Sequence, residues 1–277
     1  MDALAAYLAR PWLRFYSPGV PHDLDVPSRS LPELFDEATA RAPDRPALVF
    51  YGRTVTFREV RDATDRLAYA LAALGAARGD RVALYLVNSP QFVIAYFAIS
   101  KCGAAVTPIS PMYTSHEVRH QLEDSGARAI VCQDVLYDRV ARCGAPLDAV
   151  VVTNVGEYLP ALKRFLGKGP LGRILSDVSL GAPEIPSGPN VHRLQDLLKR
   201  HPPAPPRVPI DPARDLAALP YTGNSVPQAG FYYQNSGAPS GTAGGGGGGG
   251  SLLPTPPSPR QNVTCSSVAS SVSVALS

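Results

Sequence analysis

Between Pro46 and Thr153 the chain repeats one unit: a short run of aliphatic and β-branched residues, a capped amphipathic helix, then another run. "RVALYLV" (81–87), "AAVTPI" (104–109), "ARAIVC" (127–132) and "LDAVVVT" (147–153) are apolar through their centres rather than alternating with polar residues. A strand with no polar side has no face to give to water, so it belongs in a sheet covered on both faces. Strands separated by helices need crossover connections, which are right-handed and make neighbours parallel. The expectation is an α/β fold, a mostly parallel sheet with flanking helices.

Local signals mark the boundaries. "ALVFYGRTVTF" (47–57) reads as two short strands around Tyr51–Gly52. Thr56 and Glu59 form an S/T-x-x-E capping box, opening a helix with Phe57, Val60, Leu67, Leu71 and Leu74 on one face and Gly75 at its end. Asn88-Ser89-Pro90 opens a second helix that closes at Gly103, and Thr114 with Glu117 caps a third that closes at Gly126. A short helix is expected near 135–142.

After Thr153 the pattern loosens. "EYLPALKRFLGKG" (157–169) is basic and amphipathic, with Leu159, Leu162, Phe165 and Leu166 toward one side and Lys163, Arg164 and Lys168 toward solvent. The plain reading is a surface helix packed on the domain. The sharper one is a weak peripheral membrane contact that delivers a lipid. Residues 170–214 are proline-rich, broken by "VHRLQDLLKR" (191–200), and read as a long surface excursion.

Charge divides the chain in two. From Asn224 to Ser277 there are 54 residues and one charged side chain, Arg260, so 48 of the 49 charged residues lie in residues 1–223. The second part also holds Gly244 to Gly250 and the cluster "LPTPPSPR", a composition expected to stay disordered. Residues 1–223 are therefore taken as one folded, partial domain and 224–277 as a low-complexity tail. A net charge of +3 implies no nucleic-acid partner. Cys102, Cys132, Cys143 and Cys265 form no C-x-x-C pair and read as reduced thiols of a cytoplasmic protein. The opening "MDALAAYLARPWLRF" carries Asp2 and Arg10 and does not read as a signal peptide.

Three stretches suggest chemistry. "HEVRH" (116–120) has the spacing of a zinc protease, with both imidazoles on one helical face. Glu117, however, is already the capping partner of Thr114, and no third ligand is well placed, so the zinc hydrolase is the least favoured reading. "GTAGGGGGGG" (241–250) lacks the strand, helix and lysine of a phosphate cradle and reads as a spacer. "LAALPYTG" (216–223) is an apolar run ending where a hydroxyl, backbone N–H groups and a glycine can meet phosphate oxygens.

These segments together resemble a known family. "VTFREV" (55–60), "KCGAAVTPISPMYT" (101–114) within the long stretch 81–131, and "DLAALPYTG" (215–223) are similar to the N-terminal half of adenylate-forming acyl-CoA synthetases, most closely the bacterial long-chain fatty acid–CoA ligases. "EYLPALKRFLGK" also looks like the long-chain members, and the likeness runs over about residues 10 to 223. The resemblance implies ATP, Mg²⁺ and CoA as reactants and cofactor, with a fatty acid as substrate. It implies acyl-adenylate formation with release of pyrophosphate, then attack of the CoA thiolate on the acyl carbon. It assigns Tyr221, Thr222 and Gly223 as nucleotide-binding positions opening the phosphate loop, and assigns no catalytic or metal-binding residue.

The family's loop continues with Gly, Thr and Ser and then Pro-Lys-Gly, whereas this chain reads Asn224-Ser225-Val226-Pro227-Gln228, and no lysine follows Lys199. The family's acidic metal motif, ribose-binding aspartate, hinge and C-terminal catalytic lysine have no counterpart here. The expectation is a truncated ligase, inactive as this polypeptide, whose sequence changes character at residue 224 through a frameshift, mis-splicing or gene-model error. The alternative is a non-catalytic module that binds an acyl chain or a partner. A sheet ending after the phosphate-loop strand is also expected to leave an unpaired edge.

Overall fold

Helix starts are fixed by side chains that satisfy the first free backbone amides. In this computed structural model, which describes residues 7–23, 28–160, 185–221 and, as backbone, 233–234 and 272–274, three helices begin with a reciprocal capping box. Ser30 and Glu33 open α1 (Leu31–Arg41), Thr56 and Glu59 open α2 (Phe57–Ala73), and Thr114 and Glu117 open α4 (Ser115–Ser125). The second and third were expected; α1 was not. Ser89 caps α3 (Pro90–Lys101), with the proline in the first turn as its sequence predicts. Two short helices follow among the described residues, α5 (Tyr137–Cys143) and α6 (Leu194–Arg200).

A hairpin precedes α2. β1 (Pro46–Phe50) and β2 (Arg53–Thr56) pair antiparallel around Tyr51 and Gly52, whose φ values of 49° and 91° suit the two-residue turn that matches strand twist. β10 (Val272–Val274) lies antiparallel on the other edge of β1.

The main sheet holds seven strands in the order β7-β6-β5-β3-β4-β8-β9. β3 (Arg81–Tyr85) is flanked by β4 (Ala105–Pro108) and β5 (Ala129–Gln133), β6 (Ala149–Thr153) and β7 (Val191–Arg193) extend one side, and β8 (Leu216–Ala218) extends the other. All these pairs are parallel; only β9 (Tyr233–Gln234) runs antiparallel, on β8. The outer edge of β8 thus has a partner, where a bare edge was expected. Residues 191–193 are likewise a correction: they form a sheet strand, and the following α6 buries Leu194 and Leu197, so this piece of the expected surface excursion is integral to the fold. The excursion reading fails there because its pattern is short, and pairing with β6 is long-range information that periodicity does not carry.

Successive residues of each strand enter opposite layers. Val82, Leu84, Val106, Val131 and Val151 join α2, α3 and α6 in one core. Ala83, Tyr85, Ile130, Cys132, Val150 and Val152 join α4 and α5 in the other. Cys102, Cys132 and Cys143 are free and buried, and burial pushes the Cys102 thiol up to about 12 and Cys132 higher still. Among the described residues no helix is long and apolar enough to cross a membrane. Most of the amphipathic stretch (161–169), Cys265 and nearly all of the expected tail lie outside the described residues.

One ionic cluster joins three helices. Lys101 at the end of α3 donates to Asp36 of α1 at 2.6 Å and to Asp65 of α2 at 2.5 Å, with its own side chain only 4% exposed. Its ammonium lies 5.4 Å from the ring of Phe35, which stacks on Phe97 at 4.2 Å. Burial pushes Asp65 up, while the hydrogen bond and charge of Lys101 pull it down. Removing one partner of a buried pair leaves an uncompensated charge. Lys101→Ala is expected to cost about 3 kcal/mol in urea unfolding, and the double variant with Asp65→Asn less than the sum of the two singles.

A second, half-buried carboxylate gives a pH signature. Glu157 accepts from Thr153 at 2.7 Å and from Gln195 at 3.1 Å, yet burial outweighs these bonds and raises its pKa above 4.5. The folded state then holds the proton more tightly than the unfolded chain, so this group's stabilisation is lost as pH rises through the folded pKa. Glu157→Gln is expected to flatten the fall in stability above pH 4.5, measured by urea midpoints across a pH series.

Candidate functional site

Because β3 to β8 are parallel, their carboxyl ends share one edge, and the loops leaving them collect there. In open α/β sheets that edge is where ligands bind. Three groups of polar side chains line it.

The first lies beyond β5 and β6. Gln91, in the first turn of α3, donates to the Asn154 carbonyl at 2.8 Å, and Asn154 donates through its amide to the Asp134 carboxylate. The Asn154 carboxamide oxygen accepts from Gly156 N–H at 2.6 Å, and Arg53 donates to the Glu157 carbonyl at 3.2 Å. These bonds fix the turn after β6. The buried oxygens of Gln91 and Gln133 have no partner.

The second organises residues 110–114. Arg139 of α5 donates to the carbonyls of Pro111 and Tyr113 at 2.8 and 3.0 Å and to the Tyr85 hydroxyl at 3.2 Å, while Tyr85 donates to the Tyr113 carbonyl at 2.8 Å. The loop that leads into α4 is therefore held from beneath.

The third surrounds the end of β8. Val106 and Ala218 are register partners, and Leu219 N–H donates to the Val106 carbonyl at 2.7 Å. The Leu219 carbonyl accepts from the Thr107 hydroxyl at 3.1 Å, and Thr107 accepts from Gln121 Nε2 at 2.9 Å. Tyr221, half-buried, donates its phenol proton to Asp124. Of the three expected nucleotide positions, Tyr221 therefore stands at the carboxyl edge beside β4, and Thr222 and Gly223 lie outside the described residues.

Sequence reasoning missed Gln121, Asp124 and Thr107. A signal existed for Gln121: Val118, Gln121, Leu122 and Ser125 make one helical face, and that face is buried, so two polar residues occupy core positions. No local pattern marks Thr107 or Asp124.

The "HEVRH" stretch forms the first turns of α4. Glu117 accepts from Thr114 N–H and Oγ1, each at 2.8 Å, and these bonds hold its carboxyl below the usual range. His116 and His120 are exposed, and among the described residues no group of three His, Cys, Asp or Glu converges to hold a metal ion.

Comparison with known proteins extends the geometry. The family model for AMP-binding enzyme matches residues 35–225. A long-chain-fatty-acid–CoA ligase of Bacillus subtilis is 32% identical over 219 residues, 78% of this chain and 38% of that protein. One from Yersinia pestis is 36% identical over 161 residues, 56% of this chain and 28% of that protein. The crystal structure of a long-chain-fatty-acid-CoA ligase from Archaeoglobus fulgidus superposes with a TM-score of 0.59 at 22% identity, covering 79% of this chain and 39% of the other, a likeness of fold. The chain thus spans less than two-fifths of the length of these relatives. With two-thirds of its residues under one family model, the chain belongs to the AMP-binding enzyme family.

Proposed function

We propose that this chain carries the N-terminal, loop-presenting part of an ATP-dependent long-chain fatty acid–CoA ligase, and that the 277-residue polypeptide by itself does not complete the reaction. The observation that carries the reading is the placement of Tyr221. It leaves β8 at the carboxyl edge of a parallel sheet, in a chain whose curated relatives include long-chain-fatty-acid–CoA ligases. On this reading Tyr221, Thr222 and Gly223 open the turn that meets the nucleotide phosphates, and residues 1–223 form one partial domain.

The reaction so assigned has two displacements. A carboxylate oxygen of the fatty acid bonds to the α-phosphorus of ATP and pyrophosphate leaves. The CoA thiolate then bonds to the acyl carbon and AMP leaves. The first step brings anions together, and its barrier falls only where cations and N–H donors neutralise them. The residues present fit the opening of a phosphate site and not its completion. Asn224 to Gln228 carry no lysine where the family's loop is expected to reach Pro-Lys-Gly, and among the described residues no group of His, Cys, Asp or Glu converges to hold a metal ion, so no step is assigned to a side chain of this chain. The three free, buried thiols suit a reducing compartment, and the reading places the protein in the cytoplasm.

Two measurements test it. Pyrophosphate release by the purified chain with ATP, Mg²⁺, CoA and palmitate is expected at background, and robust turnover would overturn the inactivity claim. Elemental analysis after purification is expected to find well under one zinc per chain, with chelator leaving the urea midpoint unchanged; stoichiometric zinc would instead support the hydrolase reading of His116 and His120.

A further inference from the structure

Helix α4 and the exit of β8 are joined through side chains. β8 meets β4 at one register pair, and its backbone ladder stops with Leu219 N–H on the Val106 carbonyl. The next acceptor, the Leu219 carbonyl, is met by the Thr107 hydroxyl. A hydroxyl has one proton and a carbonyl can only accept, so Thr107 must itself accept from Gln121. The same Gln121 nitrogen also donates to the Pro108 carbonyl at 2.9 Å. Three residues on, Asp124 takes the phenol proton of Tyr221. Leu219 and Tyr221, on either side of Pro220, are thus both tied to one helix.

Gln121 is 99% buried, and its Oε1 has no partner. A buried acceptor without a donor is destabilising, and an apolar residue at this core position would avoid that cost. What the glutamine supplies is its nitrogen, aimed at Thr107 and Pro108. The capping box at Thr114 anchors the start of the same helix, so its two tethering side chains project from a fixed element.

We propose that Gln121, acting through Thr107, and Asp124 are positioning residues for the exit of β8 at Leu219 and Tyr221. They set where the chain leaves the sheet. The functional part rests on the phosphate-loop reading given above; the tether itself does not.

The test uses the full chain and its variants Thr107→Val, Thr107→Ser, Gln121→Ala, Asp124→Ala and Tyr221→Phe. Amide exchange and Mg²⁺-ATP affinity are measured for each. Thr107→Val and Gln121→Ala are expected to speed exchange at Leu219 by about tenfold, with Ile130 and Val151 changing by less than about twofold. Thr107→Ser, which keeps the hydroxyl, restores the wild-type rate. Asp124→Ala and Tyr221→Phe weaken ATP binding alike, by about tenfold, and their double variant is no worse than either alone. Exchange that changes uniformly over the sheet, or not at all, or a serine that fails to rescue, overturns the tether. Altered exchange with unaltered ATP affinity overturns its role in nucleotide binding. A wild-type chain that binds no ATP at millimolar concentration overturns the phosphate-loop reading, and leaves the tether to be decided by exchange alone.

Discussion

Strand β3 has no side that tolerates water. Val82 and Leu84 enter one core, Ala83 and Tyr85 the other, and all four are at most 1% exposed. That condition requires helices on both faces, and it is met because α3 crosses to β4 on one side while α4 returns past β3 to β5 on the other. Burial of apolar area drives the assembly, at about 25 cal/mol per Å², but the geometry it imposes is what matters for function. Parallel strands with crossovers must all end at one edge. The position of Tyr221 beside β4 follows from that topology rather than from any local feature of residues 216–223.

Much of the fold was legible in the residues. The capping boxes at Thr56 and Thr114, the proline after Ser89, and Gly126, which ends α4 at a φ of 67°, each act within four residues of the boundary they define. Such signals survive reading without a structure because their energetics are local. The box at Ser30 has the same form, but the proline at position 32 within its four residues makes the start of α1 harder to read. β7 could not be read, because three residues carry no period and their role depends on β6, some forty positions earlier. The site divides in the same way. Tyr221 was singled out through resemblance alone, whereas its partner Asp124 is 97 residues away, on the helix whose first turns invite a zinc reading.

Polar groups at or near the core of this domain do two kinds of work. Lys101 binds helices α1, α2 and α3 to one another, and Arg139 holds the loop before α4, so both are structural. Neither role needs a ligand. Gln121 differs from both and resembles Gln91: each is buried, leaves its carboxamide oxygen unpartnered and donates through its nitrogen, Gln91 to the Asn154 carbonyl and Gln121 to Thr107 and the Pro108 carbonyl.

The same distinction explains why a placed site need not be a working one. Placement is a property of the sheet, and the described chain carries it through β4, α4 and β8. Neutralising a triphosphate is a property of charge, and three of the fixed cations among the described residues are committed elsewhere: Lys101 to two carboxylates, Arg139 to two carbonyls and a hydroxyl, and Arg78 to Asp215 at 2.9 Å. Redirecting any of them would strip a partner from a buried or hydrogen-bonded group. On the proposed reading, Asn224 to Gln228 bring no lysine to the phosphates, and Arg260 is the one charged side chain between Asn224 and Ser277.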